Sequence, residues 1–226
     1  MSTYAVPFDS QAPLSCDPRW RAHDLLRVSG APEPFDEDAP DWLHDAWART
    51  PFVVVRRALS ASGFVAVGVR GASRAQRFGT WVNVASIEAT FAPEDLVVNE
   101  PRDGRGALPA FVALTWLRAR RSALDDFVWG PTGSAGFELA TRSPAANESS
   151  DLDLLIRIPD RCDAATIRAL AETLSHASSR AGTRIDAQLE TPAGGVALAE
   201  LAAGRPRVLA RAADGARLVA DPWQPT

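Results

Sequence analysis

The chain has 226 residues, 46% apolar and 23% charged, with a formal net charge of −4 and a pI near 5.4. That much apolar chain buries a core, in one large domain or two small ones. The acidic balance gives no global electrostatic case for a nucleic-acid or membrane-surface partner. All 24 basic residues are arginine, so a phosphate in a site here must be met by guanidinium, backbone N–H or metal. Cys16 and Cys162 stand far apart and belong to no CxxC, and read as free thiols of a reducing, cytoplasmic compartment. No basic-then-apolar segment suggests a signal peptide, and no apolar run approaches the roughly 18 residues of a membrane helix.

In chain order, Met1 to Gly30 mixes prolines with the apolar "HDLLRVSG", and Ala31 to Trp42 is a proline- and acid-rich loop expected to cap a short helix through Asp41. "PFVVVRRAL" and "FVAVGVRG" predict a strand pair around Ser62–Gly63. Trp81 to Val97 predicts one further strand and a proline-started turn. "NEPRDGRG", Asn99 to Gly106, is the expected boundary between an N-terminal domain, 1–100, and a second domain, 101–226. Beyond it, Ala107 to Arg121 predicts a helix with a basic last turn. A strand ("DFVWG"), a glycine-rich turn ("GPTGSAG"), a helix ("FELAT"), a strand ("DLDLLIRI"), a helix ("DAATIRALAETLSHASSR") and a strand ("RIDAQLE") follow. "GGVALAELAAG" and a hairpin around Asp214–Gly215 close the chain. The class is α/β in the broad sense, an α+β mixture in which helix and strand alternate most clearly after residue 107.

Asp151 and Asp153 sit one residue apart in a strand, so both point to one face with Cα atoms roughly 6.5 Å apart. Leu152, Leu154 and Ile156 point to the other, into a core. Two carboxylates that close repel unless a positive charge sits between them. Alone, the pair reads as the wet face of an amphipathic strand or as a cation site, Mg²⁺ favouring one or two carboxylates plus phosphates. Upstream, Gly130, Gly133 and Gly136 with Ser134 form either a tight strand–helix turn or a phosphate cradle at a helix N-terminus. The lysine of a P-loop is missing. Downstream, Asp186 in "TRIDAQLE" is an exposed strand residue or a third acid from a neighbouring strand. The order of glycine–serine turn, helix, DxD strand, helix and single-Asp strand is more specific than any part.

This order resembles the nucleotidyltransferase superfamily with a polymerase-β-like core. "HDLLRV", "VGVRGASRAQRFG", "WGPTGSAGFELAT", "SDLDLLIRIP" and "RIDAQLE" together resemble the phosphoribosyl-dephospho-CoA transferases of malonate decarboxylase, its holo-acyl-carrier-protein synthases. The likeness runs over most of the chain and is densest from Trp129 to Glu190. It implies transfer of a phosphoribosyl-dephospho-CoA group from 2′-(5″-triphosphoribosyl)-3′-dephospho-CoA to a serine of the apo acyl carrier protein, with release of diphosphate. It implies a polymerase-β-like catalytic domain behind a smaller mixed α/β N-terminal domain that reads substrate or partner.

On that resemblance Asp151, Asp153 and Asp186 hold Mg²⁺, two ions in the superfamily, and Asp186 also accepts the proton of the incoming serine. Gly130, Gly133 and Ser134 meet the triphosphate. Arg70, Arg74 and Arg77 are a basic cluster that binds phosphate or an acidic carrier, or else a solvated loop. Arg211 lies where the superfamily often brings a basic residue. One departure is the long spacing from Ser134 to Asp151, which requires the loop "RSPAANESS" to project away or cover the site. A different hydroxyl acceptor, a small molecule or RNA, is the alternative, and the acidic pI speaks against tRNA. A non-enzymatic relative is the third reading, against which the retention of all three acids speaks. His23, His44 and His176 show no metal-ligand pattern, the tryptophans read as core, and Glu148 and Asp160 read as loop acids.

Overall fold

The computed structural model describes residues 11–30, 39–73, 75–102 and 104–224. Two compact units divide between Ala92 and Pro93.

In the first unit the elements are β1 (Leu14–Ser15), β2 (Leu25–Val28), α1 (Trp42–Arg49), β3 (Phe52–Val55), β4 (Ser60–Ala61), β5 (Phe64–Arg70), β6 (Arg77–Asn83) and β7 (Ile87–Phe91). Five strands form an antiparallel sheet in the order β6-β5-β3-β2-β7, and β1 pairs with β4. The valines predicted to be strand are strand, and their buried face (Val53, Val55, Val65, Val67, Val69) packs with Leu26, Leu43 and Trp47. Helix α1 follows Asp41 as expected, although the Asp41 side chain makes no capping bond. The stretch expected to hold one strand ends β6 and supplies all of β7, because Asn83 caps a short 3-10 turn at Val84–Ser86 that breaks the run.

The second unit opens with a 3-10 turn, Pro93–Leu96, then α2 (Pro109–Arg118), a 3-10 turn (Ala123–Asp126), β8 (Val128–Pro131), α3 (Gly133–Thr141), β9 (Leu152–Arg157) and α4 (Ala164–Ala181). It ends with β10 (Ile185–Thr191), β11 (Gly194–Ala197), α5 (Leu198–Ala202), β12 (Val208–Ala212) and β13 (Gly215–Val219). The sheet order is β13-β12-β11-β10-β9-β8. Only β9 and β10 run parallel, as a βαβ crossover through α4 requires; the other pairs are antiparallel. The fold is mixed α/β. Helix α4 is set by Asp163, whose carboxylate accepts from the Thr166 N–H at 2.7 Å, and by Gly182, left-handed at φ 68°.

Strand β9 explains its own composition. Leu152, Leu154, Ile156 and Ile158 are at most 1% exposed, in a strand that both α2 and α3 contact. Leu155, of the opposite parity, is also 1% exposed, because the backbone of Pro93 and Glu94 lies over its neighbour Gly130. Beyond it, Arg157 is forked by Glu94 at 2.9–3.0 Å. The strand is therefore buried on both faces at its far end and open only at its start. Among the described residues no helix is long and apolar enough to cross a membrane.

Truncating Leu154 to Ala removes fully buried methyl groups where the sheet meets its helices. A loss of about 2–5 kcal/mol is expected, read as a lower urea midpoint at unchanged slope; a loss under about 1 kcal/mol contradicts the packing described.

Candidate active site

The site residues converge because of register. In the parallel pair β9–β10, Asp153 and Asp186 are direct Cα partners, and Ile185 partners Leu152. The Leu152 N–H donates to the Arg184 carbonyl at 2.9 Å, which places Arg184 opposite Asp151. Asp151, Asp153, Arg184 and Asp186 thus stand on one face at the corners of a rectangle roughly 6.5 Å by 4.8 Å, the spacing of alternate residues and of neighbouring strands. Three corners are acids and one is a guanidinium.

The guanidinium spans two of the acids. Arg184 Nη2 lies 2.9 Å from Asp151 Oδ2 and 2.7 Å from Asp186 Oδ2. The hydrogen bond to Asp151 is the main reason its pKa rises above the ordinary arginine value; the charge of Asp186 follows, and Asp153 adds to it. As they stand, no three His, Cys, Asp or Glu side chains among the described residues are gathered tightly enough to hold a metal ion.

Asp153 has a second neighbour. The Thr132 N–H donates to the Asp153 carbonyl at 2.8 Å, and α3 starts at Gly133 with φ +58°. A Cβ on Gly133 would fall 1.9 Å from Asp153 Oδ2. Glycine is required there both by the left-handed backbone and by the carboxylate occupying that space. The segment expected as a glycine-rich turn is thus already helix from Gly133, and Ser134 is its second residue, half-buried. Gly136 lets the first helical turn approach the Pro131 carbonyl, which its Cβ would meet at 2.4 Å.

Two other expected residues of this unit, Gly130 and Arg211, stand apart from the rectangle. Gly130 faces the Pro93 backbone, whose carbonyl oxygen a Cβ would meet at 1.9 Å, so that side of it serves packing. Arg211 partners Gly195, itself opposite Glu190. That is four residues along β10 from Asp186 and two strands over, about 13 Å by about 10 Å at ordinary strand spacings, so Arg211 does not join the rectangle. In the first unit Arg70 and Arg77 are Cα partners at the end of the β5–β6 hairpin; Arg74 lies outside the described residues.

Sequence reasoning missed the group that ties down the long α3–β9 loop. Glu138 is 2% exposed, inside α3. Both carboxylate oxygens are engaged: Oε1 accepts from Arg105 Nε, and Oε2 accepts from Arg105 Nη2 at 2.9 Å and from the N–H groups of Ala145 and Ala146 at 2.8 and 2.9 Å. Arg105 Nη2 also donates to the Ala146 carbonyl at 2.7 Å. Farther along, the Asn147 side chain accepts from the Ser149 N–H and the Ser150 hydroxyl, and Thr183 donates to the Ser150 carbonyl at 3.0 Å. The loop is a clamped segment that delivers Asp151 to the start of β9. The one sequence signal for it is a single acid in an apolar helix, which needs a partner when buried.

The family described as phosphoribosyl-dephospho-CoA transferase MdcG C-terminal domain matches residues 98–222, and its N-terminal-domain counterpart matches residues 21–93. A phosphoribosyl-dephospho-CoA transferase of Pseudomonas fluorescens Pf-5 is 43% identical over 93% of this chain and 96% of its own length. That of Pseudomonas aeruginosa PAO1 is 45% identical over 89% of this chain and 93% of its own, and that of Azotobacter vinelandii 42% over 89% and 93%. No solved structure matches at a significant level. The mixed α/β fold and its acidic rectangle belong to an enzyme that transfers a group. The chain is a member of the phosphoribosyl-dephospho-CoA transferase family.

Burial alone pushes the Glu138 carboxyl up, but the Arg105 hydrogen bonds and the two backbone N–H groups outweigh it and hold the pKa below the ordinary 4.5. A group whose folded pKa is lowered stabilises above its unfolded value and loses that contribution as pH falls through the folded value. The melting temperature should therefore drop on acidification below about pH 4.5, more steeply in the wild type than in Glu138→Gln. Equal slopes in a pH series of thermal melts would contradict this role. Arg105→Ala, which strands a buried carboxylate, should cost about 3 kcal/mol at pH 7.

Proposed function

We propose that the chain moves the phosphoribosyl-dephospho-CoA group of 2′-(5″-triphosphoribosyl)-3′-dephospho-CoA onto a serine of the apo acyl carrier protein of malonate decarboxylase. The serine oxygen forms a bond to the α-phosphorus of the triphosphate. The bond from that phosphorus to the oxygen bridging to the β-phosphate breaks, and diphosphate leaves. The observation that carries the reading is the placement of Asp151, Asp153 and Asp186 on one strand face against the start of α3, in a member of this transferase family.

Mg²⁺ is the cofactor this reading calls for, and the donor set suits it: three carboxylates, all hard oxygen, on neighbouring backbone positions. The cradle at Gly133, where the Asp153 carboxylate fills the room a Cβ would take, fixes one of these donors against the helix start. When bound, the metal neutralises the triphosphate and steadies the entering and leaving oxygens. Asp186, half-exposed, takes the serine proton. Gly133 and Ser134 present the first N–H groups of α3 to the triphosphate, with the positive end of the helix dipole behind them. Gly130 supports this backbone through its packing on Pro93. The polymerase-β-like kinship accounts for the order of these parts, and the first unit, with Arg70, Arg74 and Arg77, reads substrate or the carrier protein. Arg211 remains a basic residue of the same sheet, for an extended substrate.

The test is the intact mass of apo acyl carrier protein after incubation with this protein, Mg²⁺ and the donor. A gain of one phosphoribosyl-dephospho-CoA group, absent with EDTA, is expected. Asp151→Asn and Asp153→Asn should lower the rate by at least about 100-fold, as loss of single catalytic groups does, with unchanged near-UV circular dichroism. Full activity in both variants refutes the assignment; no gain with wild-type protein moves the search to another hydroxyl acceptor.

A further inference from the structure

Arg184 takes no part in the reaction proposed above, yet it is the one cation on the rectangle of acids. Its side chain is 63% exposed, so it is held there by charge rather than by packing. Its backbone is fixed, since its carbonyl accepts from the Leu152 N–H. Its two ion pairs end on Oδ2 of Asp151 and Oδ2 of Asp186, two of the carboxylate oxygens that a divalent cation on this face would compete for. Three carboxylates and one guanidinium leave a net charge of −2 at this face. Arginine stays charged at any working pH, so it can yield those oxygens only by moving.

We infer that Arg184 is the resident counter-cation of the acidic cluster: it holds Asp151 and Asp186 in the metal-free protein, is displaced by the divalent ion, and then binds the polyphosphate of the donor. The inference rests on the metal reading above. Displacement costs little, because exposed ion pairs are weak in water. It leaves a planar fork of donors, anchored at the start of β10, beside the strand face where the triphosphate is proposed to lie. Such a fork matches phosphate oxygens in pairs. Arg184 is thereby a positioning residue in one state and a ligand for anion in the other. It also supplies a reason for an arginine at a place where a neutral residue would leave three like charges facing one another.

The test uses the full chain and calorimetric titration with Mn²⁺, then with inorganic tripolyphosphate at saturating Mn²⁺, on wild type, Arg184→Ala, Arg184→Gln and Asp153→Asn. Both Arg184 variants should bind Mn²⁺ about 1.5-fold to fivefold more tightly, the range expected when a competing exposed ion pair is removed. They should bind tripolyphosphate about tenfold more weakly, the order of magnitude of one lost charge-assisted contact. Mn²⁺ affinity that is unchanged or weaker in both Arg184 variants overturns the inference while leaving the metal site standing, provided Asp153→Asn loses binding. Unaltered tripolyphosphate affinity overturns the anion-binding half. Absence of Mn²⁺ binding in wild type and variants alike overturns the metal reading and the inference with it.

Discussion

The parallel register of β9 against β10 is the constraint on which the rest depends. It alone makes Asp153 and Asp186 neighbours, though they lie 33 positions apart in sequence with a whole helix between them. A slip of one residue would turn Asp186 to the opposite face and put Ile185 among the acids. The slip is prevented by apolar side chains rather than by the acids: Leu152, Leu154 and Ile156 on β9 and Leu189 on β10 are at most 1% exposed, and a shifted register would bring them into water. The acids of the candidate site are thus placed by apolar residues on the other face of the sheet.

The second requirement is that β9 begin where it does. The loop from α3 must return to the sheet after a long excursion, and its backbone polar groups need partners. Glu138 supplies two acceptor bonds to that loop and is itself balanced by Arg105, so one buried carboxylate organises Ala145 and Ala146. The Asn147–Ser150 turn carries the order on to Asp151. This explains how a spacing longer than the resemblance suggests still brings Ser134 and Asp153 to the same end of the sheet.

Much of this was legible in the sequence. Alternation in "DLDLLIRI" set the two aspartates on one face, and the run of helix and strand beyond residue 107 was read in the right order because each segment has an unambiguous period and clear glycine or proline stops. The glycine-rich stretch was misread as a turn because glycine disfavours helix interiors; here Gly133 and Gly136 are selected by close approach of Asp153 and Pro131, which propensity does not see. Glu138 and Arg184 were passed over for a similar reason. An acid in an apolar helix and an arginine before a strand acquire meaning only from their partners, which lie 33 positions away in each case: Arg105 for Glu138, Asp151 for Arg184. Arg211 was placed by analogy, and strand order removes it from the rectangle.

Packing and charge are separated across the thickness of a single strand. One face of β9 is buried against helix and contributes packing energy; at its start the other face carries like charges that oppose each other. Self-repulsion of this kind is tolerable only where the backbone is held by other means, and here it is held by the apolar face, the Glu138 clamp and the Thr132–Asp153 backbone bond. Arg184 lowers the residual repulsion without filling the site, because it reaches the acids from outside by a flexible, exposed side chain. A bulky packed side chain in that place would cover the acids, whereas the Arg184 side chain leaves them open to solvent from its own exposed position. Arg184 thus neutralises part of the charge of Asp151 and Asp186 from outside the strand face, while the backbone that carries all three acids is held by packing.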